Sequence, residues 1–579
     1  MGLSVSALLF LLRFGSVSGP AGMLSKHSRA YKTESVPPAK RLRRNLEDLF
    51  ASNIVSGSRA QELFNDAAAA GDQSARPLLG PCGHNAARNL KRRLLSGSLW
   101  PSLYEATIPC WNPRLHQQED HRVALLLPHE ALAIMCRVGS LQKLLEKTQC
   151  EPQTAEHVTK CETEAGCAFI PVGLWGDGVP CNWDRTDSLE VLSWNLPGAA
   201  PPWKSLRVPI TAISRKNVSS ETFDALLQVV AWSFQVMASG VYPSRRHDGT
   251  LFETPWDTAR RKMAGQPLGH RAVLAEIRGD WKFMKEVFKF PSWNSQSGIC
   301  WLCTCTKGDI REVGLDAPWR ASRLSHWDLV HRIHSNGQAL SPLCGAPWVV
   351  NTCFKVDWLH AVDQGVAADF VGNVLAHIIE HRRVDGATAV QRCSSLWSLL
   401  QDFYTMAGTN DKLQNLTLGM VRKDGPGKSP KLRCGAAQLR ALVPWVADLC
   451  LRLLSENDPV EGAIRAAAFH LQACYAALSS ESANDLHLHA RLFALQAIAL
   501  EAAVEDPARW RVKPKMHLFM EMASVAGARP AASWCYRDED FGGTCASLAR
   551  RRGGLLKPGP TSRNLLNKFL IKTAVPRIL

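Results

Sequence analysis

The stretch Ala168-Phe169-Ile170-Pro171-Val172-Gly173-Leu174-Trp175 leads directly into Gly176-Asp177-Gly178. A short run dominated by apolar residues is typical of a buried strand, and this one ends at the carboxylate of Asp177. A second such run, Ala272–Ile277, ends at Gly279-Asp280. Because hard cations such as Mg²⁺ prefer oxygen ligands, carboxylates at the ends of neighbouring strands can share a metal ion. A Gly-Asp pair taken alone is also a turn signal, so the two acids matter as a pair.

The sequence around these runs predicts a mixed α/β core. Leu189–Leu196 and Val208–Ile213 are further apolar runs of strand length, and apolar residues recur at helical spacing between residues 220 and 240,. Residues 361–510 differ, because their apolar residues keep helical spacing and no clear strand signal returns. We therefore expect an all-helical block that interrupts the core.

A chain of 579 residues is too long for one simple core, which predicts several domains,. Residues 1–45 are expected to form a flexible basic tail and residues 46–165 a helical region. Residues 166–360 are expected to be the first part of the core and residues 361–510 the helical insertion. Residues 511–579 would then return to the core and end in a basic tail.

The charge of the chain favours a polyanionic partner. Lys and Arg total 68 against 52 Asp and Glu, which gives a net charge of +16. Nucleic acid is the commonest such partner, with membrane surfaces and simple solubility as alternatives. No stretch is apolar for long enough to span a bilayer,. We therefore expect DNA as the partner and no membrane span, and a homo-oligomer is compatible with the sequence.

Two N-terminal features and the cysteines bear on the compartment. Pro37–Arg44 is a proline-led basic cluster, typical of a nuclear import signal, with the start of an exposed basic helix as the alternative,. Val5–Leu12 is an apolar run followed by small residues, as in a secretory leader, but no basic residue precedes it,. The 18 cysteines are scattered, which favours a reducing compartment over a disulfide scaffold,. We expect a nuclear protein.

Cys300-Trp301-Leu302-Cys303 is a C-x-x-C motif, in which two thiolates can bind one Zn²⁺ while a histidine from elsewhere completes the site,. A pair of buried cysteines is the alternative, since no second C-x-x-C is present. We expect Cys300, Cys303 and His360 to share a structural zinc ion. Further candidates for the fourth ligand are Cys305, Cys344, Cys353, His326, His331 and His334.

The order of the motifs along the chain is more specific than any one of them. Asp-Gly after a strand, Gly-Asp after a strand, C-x-x-C, Asp357-Trp358-Leu359-His360, a helical block and a late Glu539 together resemble the DDE transposases of the CACTA and related superfamilies. Ser193–Pro197 resembles the strand after the first aspartate, and Lys513–Leu518 resembles a K-x-x-H-like stretch of that family. The resemblance covers about residues 165–560.

The resemblance implies an RNase H-like fold interrupted by a large helical insertion. It also implies metal-dependent hydrolysis of a DNA phosphodiester, followed by attack of the freed 3′-hydroxyl on a target strand, with Asp177, Asp280 and Glu539 as ligands of two Mg²⁺ or Mn²⁺ ions. Asp538 and Asp540 flank Glu539, so alignment alone selects the third acid. The N-terminal third shows no clear DNA-binding motif. A catalytically inactive, transposon-derived protein that binds DNA or another protein is the alternative function.

Overall fold

The computed structural model describes residues 37–138, 149–182, 186–199, 205–296, 298–422, 427–549 and 557–573. These residues fall into two units, one formed by residues up to 366 together with residues from 511 onward, and one formed by residues 367–510. The first unit combines helices with two small sheets, so the protein is mixed α/β. Among the described helices, none is both long enough and apolar enough to cross a membrane.

The strands described in the first unit form a hairpin and a mixed sheet. They are β1 (Tyr104–Asn112), β2 (Gln117–Leu125), β3 (Ile170–Pro180), β4 (Ser188–Asn195), β5 (Val208–Ser214) and β6 (Ala272–Arg278). β1 and β2 pair antiparallel with each other. The larger sheet has the order β5–β4–β3–β6, in which β4 is antiparallel to both neighbours and β3 is parallel to β6. The strands expected from the apolar runs are therefore confirmed.

Helices connect and cover these strands. In chain order they are α1 (Pro38–Ala51), α2 (Gly57–Ala69), α3 (Ala86–Ser96), α4 (Pro128–Val138), α5 (Pro152–Ala165), α6 (Thr222–Ser239), α7 (Thr258–Met263), α8 (Trp281–Phe288), α9 (Pro318–Ala321) and α10 (His326–Ser335). The helix expected between residues 220 and 240 is confirmed as α6. A π-helix, Leu359–Ala367, follows in the chain and ends at the first residue of the second unit.

Residues 367–510 form the second unit, and its described regular structure is helical, as expected. Its helices are α11 (Ala368–Glu380), α12 (Ala389–Ala407), α13 (Leu418–Val421), α14 (Ala436–Leu453), α15 (Pro459–Ser480) and α16 (Ala483–Ala503). The first unit then resumes with α17 (Lys515–Ala523), α18 (Pro530–Ser533), α19 (Tyr536–Ala549) and α20 (Pro558–Lys572).

The N-terminal part corrects the sequence prediction in two places. The helical region expected over residues 46–165 contains the β1–β2 hairpin, whose exposed positions carry polar residues that weaken the apolar strand signal,. The flexible tail expected over residues 1–45 gives way at Pro38 to α1, where Arg43 forms an ion pair with Glu47 at 2.8 Å. The leader-like run Val5–Leu12 lies outside the described residues.

The parallel pairing of β3 with β6 places the C-terminal ends of both strands side by side. Trp175 of β3 is opposite Arg278 of β6. Asp177 and Asp280 each follow this pair by two positions. The two acids that the sequence singled out therefore lie at the same end of the sheet.

A buried ion cluster fixes α19 against the larger sheet. Asp538 has no exposed surface, and its carboxylate lies 2.5 Å from the Nε of Arg207 and 3.1 Å from the Nη1 of Arg278. Arg207 directly precedes β5, and Arg278 ends β6, so the helix is tied to both edge strands. A Cβ added at Gly542 would lie 2.7 Å from the Cγ2 of Val179, so α19 also packs closely on β3.

Replacing Asp538 with Asn should destabilise the fold strongly, because the buried Arg207 would lose its counter-charge and the buried Arg278 would keep only the more distant Glu276, at 3.8 Å,. We expect the free energy of unfolding in urea to fall by about 3–5 kcal/mol. Asp540→Asn is the matched control, because Asp540 is exposed on the same helix, and its effect should stay below about 0.5 kcal/mol,. Equal losses in the two variants would contradict this role of Asp538.

Candidate functional site

Asp177 lies within β3 rather than in a turn. It pairs with Val191 of β4, and its Oδ1 accepts a hydrogen bond from the Gly178 N–H at 2.7 Å. A side chain at Gly176 would overlap the ring of Phe283 in α8. The glycine before Asp177 is thus explained by the close approach of α8 to the strand, and the Gly-Asp-Gly motif presents a half-buried carboxylate.

Asp280 is the N-cap residue of α8. Its Oδ1 accepts a hydrogen bond from the Phe283 N–H at 2.6 Å, which satisfies one of the unpaired donors at the start of the helix,. This bond uses only one of the two carboxylate oxygens. Burial raises the pKa of Asp177, and the nearby charge of Asp280 raises it further. The two aspartates are therefore electrostatic neighbours.

Glu539 of α19 meets Asp177 directly. Ligand atoms of Asp177, His360 and Glu539 all lie within 4.8 Å of one another. The two neighbouring acids have other environments, because Asp538 is buried against arginines and Asp540 is exposed. Of the three consecutive acids, Glu539 is the one that the fold brings to Asp177.

His360 is oriented by Asp357. The His360 Nδ1 lies 2.6 Å from the Oδ2 of Asp357, whose Oδ1 accepts a hydrogen bond from the Cys535 N–H at 2.8 Å. Burial by itself lowers the pKa of His360, but the hydrogen bond to Asp357 and the surrounding carboxylates raise it to about 9. The imidazole is thus protonated at neutral pH, and its Nε2 lies 3.7 Å from the Oε1 of Glu539.

Around Glu539 the negative charge of the neighbouring carboxylates exceeds the single positive charge of His360. Burial, followed by the charges of Asp177 and Asp357, raises the pKa of Glu539 to about 8. Its Oε1 is buried and accepts no hydrogen bond from the described residues. Carboxylates this close repel one another unless a proton or a cation lies between them. The cluster therefore offers the oxygen ligands that a divalent cation needs.

A second group of metal-ligand residues surrounds the C-x-x-C motif. Ligand atoms of Cys300, Cys303, His517 and Glu521, all buried, lie within 4.8 Å of one another. The Cys303 Sγ is 3.3 Å from the His517 Nε2, and the Cys300 Sγ is 3.7 Å from the Glu521 Oε1. The Cys300 Sγ also accepts a hydrogen bond from the Leu302 N–H at 3.3 Å. Two thiolates and an imidazole form a donor set that suits Zn²⁺.

This grouping corrects the expectation that His360 joins the two cysteines. The hydrogen bond to Asp357 directs His360 toward the acids instead. His517 takes its place because it lies on α17, one helical turn before Glu521, so both side chains share one face,. The signal for His517 was present in the sequence as the Lys513–Leu518 stretch, but the C-x-x-C spacing does not point to it.

Two side chains are candidates for the fourth position of this group. Both oxygens of Glu521 already accept hydrogen bonds from the Arg323 Nη1, at 2.8 and 2.7 Å. Burial by itself lowers the pKa of His517, but hydrogen bonds with Cys303 and Cys305 raise it to about 10. Cys305 therefore lies beside the same imidazole, as one of the fourth ligands that the sequence suggested.

The remaining suggested fourth ligands lie elsewhere. Cys353 contacts the imidazole of His157 at 3.5 Å. The His326 Nε2 lies 3.0 Å from the Cys344 carbonyl oxygen, so its ring bonds to backbone. His331 and His334 are exposed on α10.

Comparison with known proteins assigns no family to this chain. A scan against protein-family models found no match, and a search among curated proteins found no significant match.

The C-x-x-C group should retain zinc through purification. We expect Cys300→Ser, Cys303→Ser and His517→Gln each to lose about one zinc ion per chain, because each removes a ligand of the same ion. His360→Gln is the control and should keep the zinc, since His360 lies with the acids. Metal analysis by mass spectrometry measures the difference, and loss of zinc from His360→Gln alone would restore the expectation drawn from the sequence.

Proposed function

We propose that this protein hydrolyses DNA phosphodiesters in a metal-dependent reaction and joins the freed 3′ end to a target strand, like the CACTA-type DDE transposases that its motifs resemble. In the joining step the 3′-hydroxyl attacks a target phosphodiester, its oxygen forms the new bond to phosphorus, and the 3′-oxygen of the target strand leaves. The observation that carries the proposal is the meeting of Asp177 and Glu539 beside Asp280. These residues are far apart in the sequence, so local secondary structure cannot bring them together. A shared metal site would explain why the fold places these carboxylates together.

The order of strands supports an RNase H-like core. β3, β4 and β5 form an antiparallel meander, and β6 returns parallel beside β3. Phe354 adds a short parallel bridge to Ile277 on the other side of β6. The helical residues 367–510 precede α19 in the chain, which is where the resemblance expects an insertion before the third acid.

The residues of the acidic cluster fit a divalent cation. The buried Oε1 of Glu539 accepts no hydrogen bond from the described residues, and one carboxylate oxygen of Glu539 lies within 4.8 Å of one carboxylate oxygen of Asp177. Asp177, Glu539 and Asp280 would hold Mg²⁺ or Mn²⁺. When bound, such ions activate a water or a 3′-hydroxyl and stabilise the leaving oxygen of a phosphodiester.

The hydrogen bond to Asp357 fixes the direction in which the Nε2–H of protonated His360 points. Asp357 accepts from the Nδ1 side of His360, so the protonated ring presents its Nε2–H toward the acids. An imidazolium N–H can donate a hydrogen bond to an anionic oxygen, such as that of a phosphate. His360 would thus orient the substrate phosphate, while Asp177, Asp280 and Glu539 would hold the ion.

The charge distribution supports DNA as the substrate. The chain carries a net charge of +16, and an exposed Lys282 follows Asp280 closely in the first turn of α8. Lysine beside the acids can contact a phosphate of the strand that enters the site.

Asp177→Asn and Glu539→Gln should each lower the rate of Mn²⁺-dependent strand transfer from pre-nicked DNA by at least about 10²–10³-fold. Each substitution removes a carboxylate that is proposed to bind the catalytic ion. Asp540→Asn is the matched control in the same helix and should keep the wild-type rate. Gel analysis of labelled substrate measures all three variants.

Metal binding can be measured independently of strand transfer. The two measurements together distinguish an active enzyme from the catalytically inactive alternative. A ligand at about a hundredfold excess over its Kd stabilises the folded state by about 2.7 kcal/mol. Mn²⁺ should therefore raise the Tm of the wild-type chain but not that of Glu539→Gln. A wild-type chain that binds Mn²⁺ and DNA without catalysing strand transfer would establish the non-catalytic alternative. A wild-type Tm that does not change when Mn²⁺ is added would contradict the metal site.

DNA binding should be largely electrostatic. Neutralised phosphates release counterions, so affinity should fall by roughly 10³-fold or more between about 50 and 200 mM salt if about six phosphates are contacted. Fluorescence anisotropy with a labelled duplex measures the slope. A flat salt dependence, or no binding at low salt, would count against nucleic acid as the partner.

A further inference from the structure

A cavity of about 170 Å³ lies between α4, α7 and the loop that follows α6. Its apolar wall includes Ile134 of α4, Phe252 of the loop and Met263 of α7. Tyr242, also in the wall, donates its backbone N–H to the Gln266 carbonyl at 2.9 Å. Gln266 precedes β6, whereas Asp280 follows this strand, so about 20 Å of strand separates the cavity from the acidic cluster. The cavity is therefore a separate candidate site.

Two polar side chains of the cavity wall each leave one atom without a hydrogen bond. The Nδ1 of His129 lies 2.8 Å from the Ser233 Oγ, but its Nε2 makes no hydrogen bond with the described residues, although only 1% of His129 is exposed. The hydroxyl of the half-buried Tyr242 likewise makes none with them. Because a buried polar atom without a partner is costly, these two atoms favour a ligand with a polar edge over a hydrocarbon.

Arg137 gives the cavity a net positive charge. Glu130 and Arg260, both in the wall, form a bidentate ion pair at 2.7 and 2.8 Å, so their charges cancel. Burial, followed by the charge of Arg260, lowers the pKa of His129 to about 3, so its imidazole is neutral. Arg137 is exposed in the last turn of α4 and forms no ion pair with the described residues. Its guanidinium can therefore bind an anion.

The hydroxyl of Tyr242 lies close enough to Arg137 for one ligand to reach both. Burial raises the pKa of Tyr242, and the charge of Arg137 opposes this shift. The polar edge and the anion of the ligand are therefore parts of one small molecule or residue.

The volume limits the part of the ligand inside the cavity to one small ring. In another protein an apolar cavity of about 150 Å³ binds benzene, so this one suits a six-membered ring with small substituents,. Phe252 and Tyr242 supply aromatic surface, on which nucleic-acid bases can stack. A six-membered ring with hydrogen-bonding groups along its edge and an anion attached to it has the composition of a pyrimidine nucleotide.

We propose that this cavity binds one pyrimidine nucleotide, with the base inside it and the phosphate on Arg137. The Nε2 of His129 and the hydroxyl of Tyr242 bond to the polar edge of the base. The nucleotide is either free or an unpaired nucleotide of a DNA strand. The second source rests on the proposed function, whereas the first is independent of it.

Saturation-transfer NMR of thymidine 5′-monophosphate with the full-length chain tests the proposal. Protons of an enclosed base receive more saturation than those of an exposed sugar, so the thymine methyl signal should exceed the deoxyribose signals. Ala259→Phe should abolish transfer to the thymine, because it places a large ring at a small residue of the cavity wall. Arg137→Gln should raise the Kd at least about tenfold, because it removes a charge-assisted hydrogen bond.

Lys262→Gln is the matched control, because Lys262 is an exposed cation of α7 that has no described partner and does not line the cavity. It should keep the wild-type Kd. Equal saturation of base and sugar, or transfer that survives in Ala259→Phe, would overturn the proposal. Should Ala259→Phe fail to fold by circular dichroism, equal Kd values for Arg137→Gln and Lys262→Gln would overturn it instead.

A second measurement identifies the source of the nucleotide. Fluorescence anisotropy compares a fully paired duplex with the same duplex carrying one unpaired thymidine. Tighter binding of the second duplex, lost in Ala259→Phe, would assign the cavity to DNA. Equal affinities, or a preference that Ala259→Phe retains, would assign it to the free nucleotide. A chain that binds thymidine 5′-monophosphate but neither duplex would contradict the proposed function and leave this site intact.

Discussion

The pairing of Asp538 with Arg207 and Arg278 is the interaction on which the acidic cluster depends. A carboxylate with no exposed surface is tolerated only when it is paired, and this one is shared by residues at both edge strands of the larger sheet,. Successive residues of an α-helix point about 100° apart, because a turn takes 3.6 residues. With Asp538 fixed on the arginines, the rotation of α19 is set, and Glu539 faces Asp177.

A second constraint joins the C-x-x-C motif to the same strand. The Trp301 indole N–H donates to the Phe354 carbonyl at 2.9 Å, and Phe354 forms a parallel bridge to Ile277 of β6. The rings of Phe288 and Phe354 pack edge to face, 4.9 Å apart, which adds α8 to this assembly. The position of Phe354 beside β6 thus fixes the direction of the short segment between Phe354 and Asp357. Zinc in the C-x-x-C group would stabilise the geometry of His360 without touching it.

The sequence predicted the strands of the larger sheet, because long apolar runs and the acids at their ends are local signals. The meeting of Asp177 with Glu539 was expected from the family resemblance, since no local signal distinguishes Glu539 from its acidic neighbours. The sequence did not predict the hairpin at residues 104–125, whose polar exposed positions resemble those of a loop. It also assigned His360 to the cysteines. The choice between His360 and His517 depends on which way each side chain points after folding, and neither spacing nor composition carries that information.

Asp538 and Glu539 are adjacent in the sequence, yet their surroundings are opposite. Asp538 is neutralised by two arginines, whereas Glu539 faces other carboxylates and leaves a buried oxygen without a hydrogen bond from the described residues. Stability alone would favour a neutral side chain at position 539, since like charges repel in a partly buried site. The protonated His360 offsets part of this repulsion, and a divalent cation would offset more of it. Affinity for an ion would therefore follow from the electrostatics of the folded chain, whereas the proposed strand transfer would additionally require that DNA be placed on the ion. The two properties are physically separable, and a chain that had lost only the second would keep the same cluster.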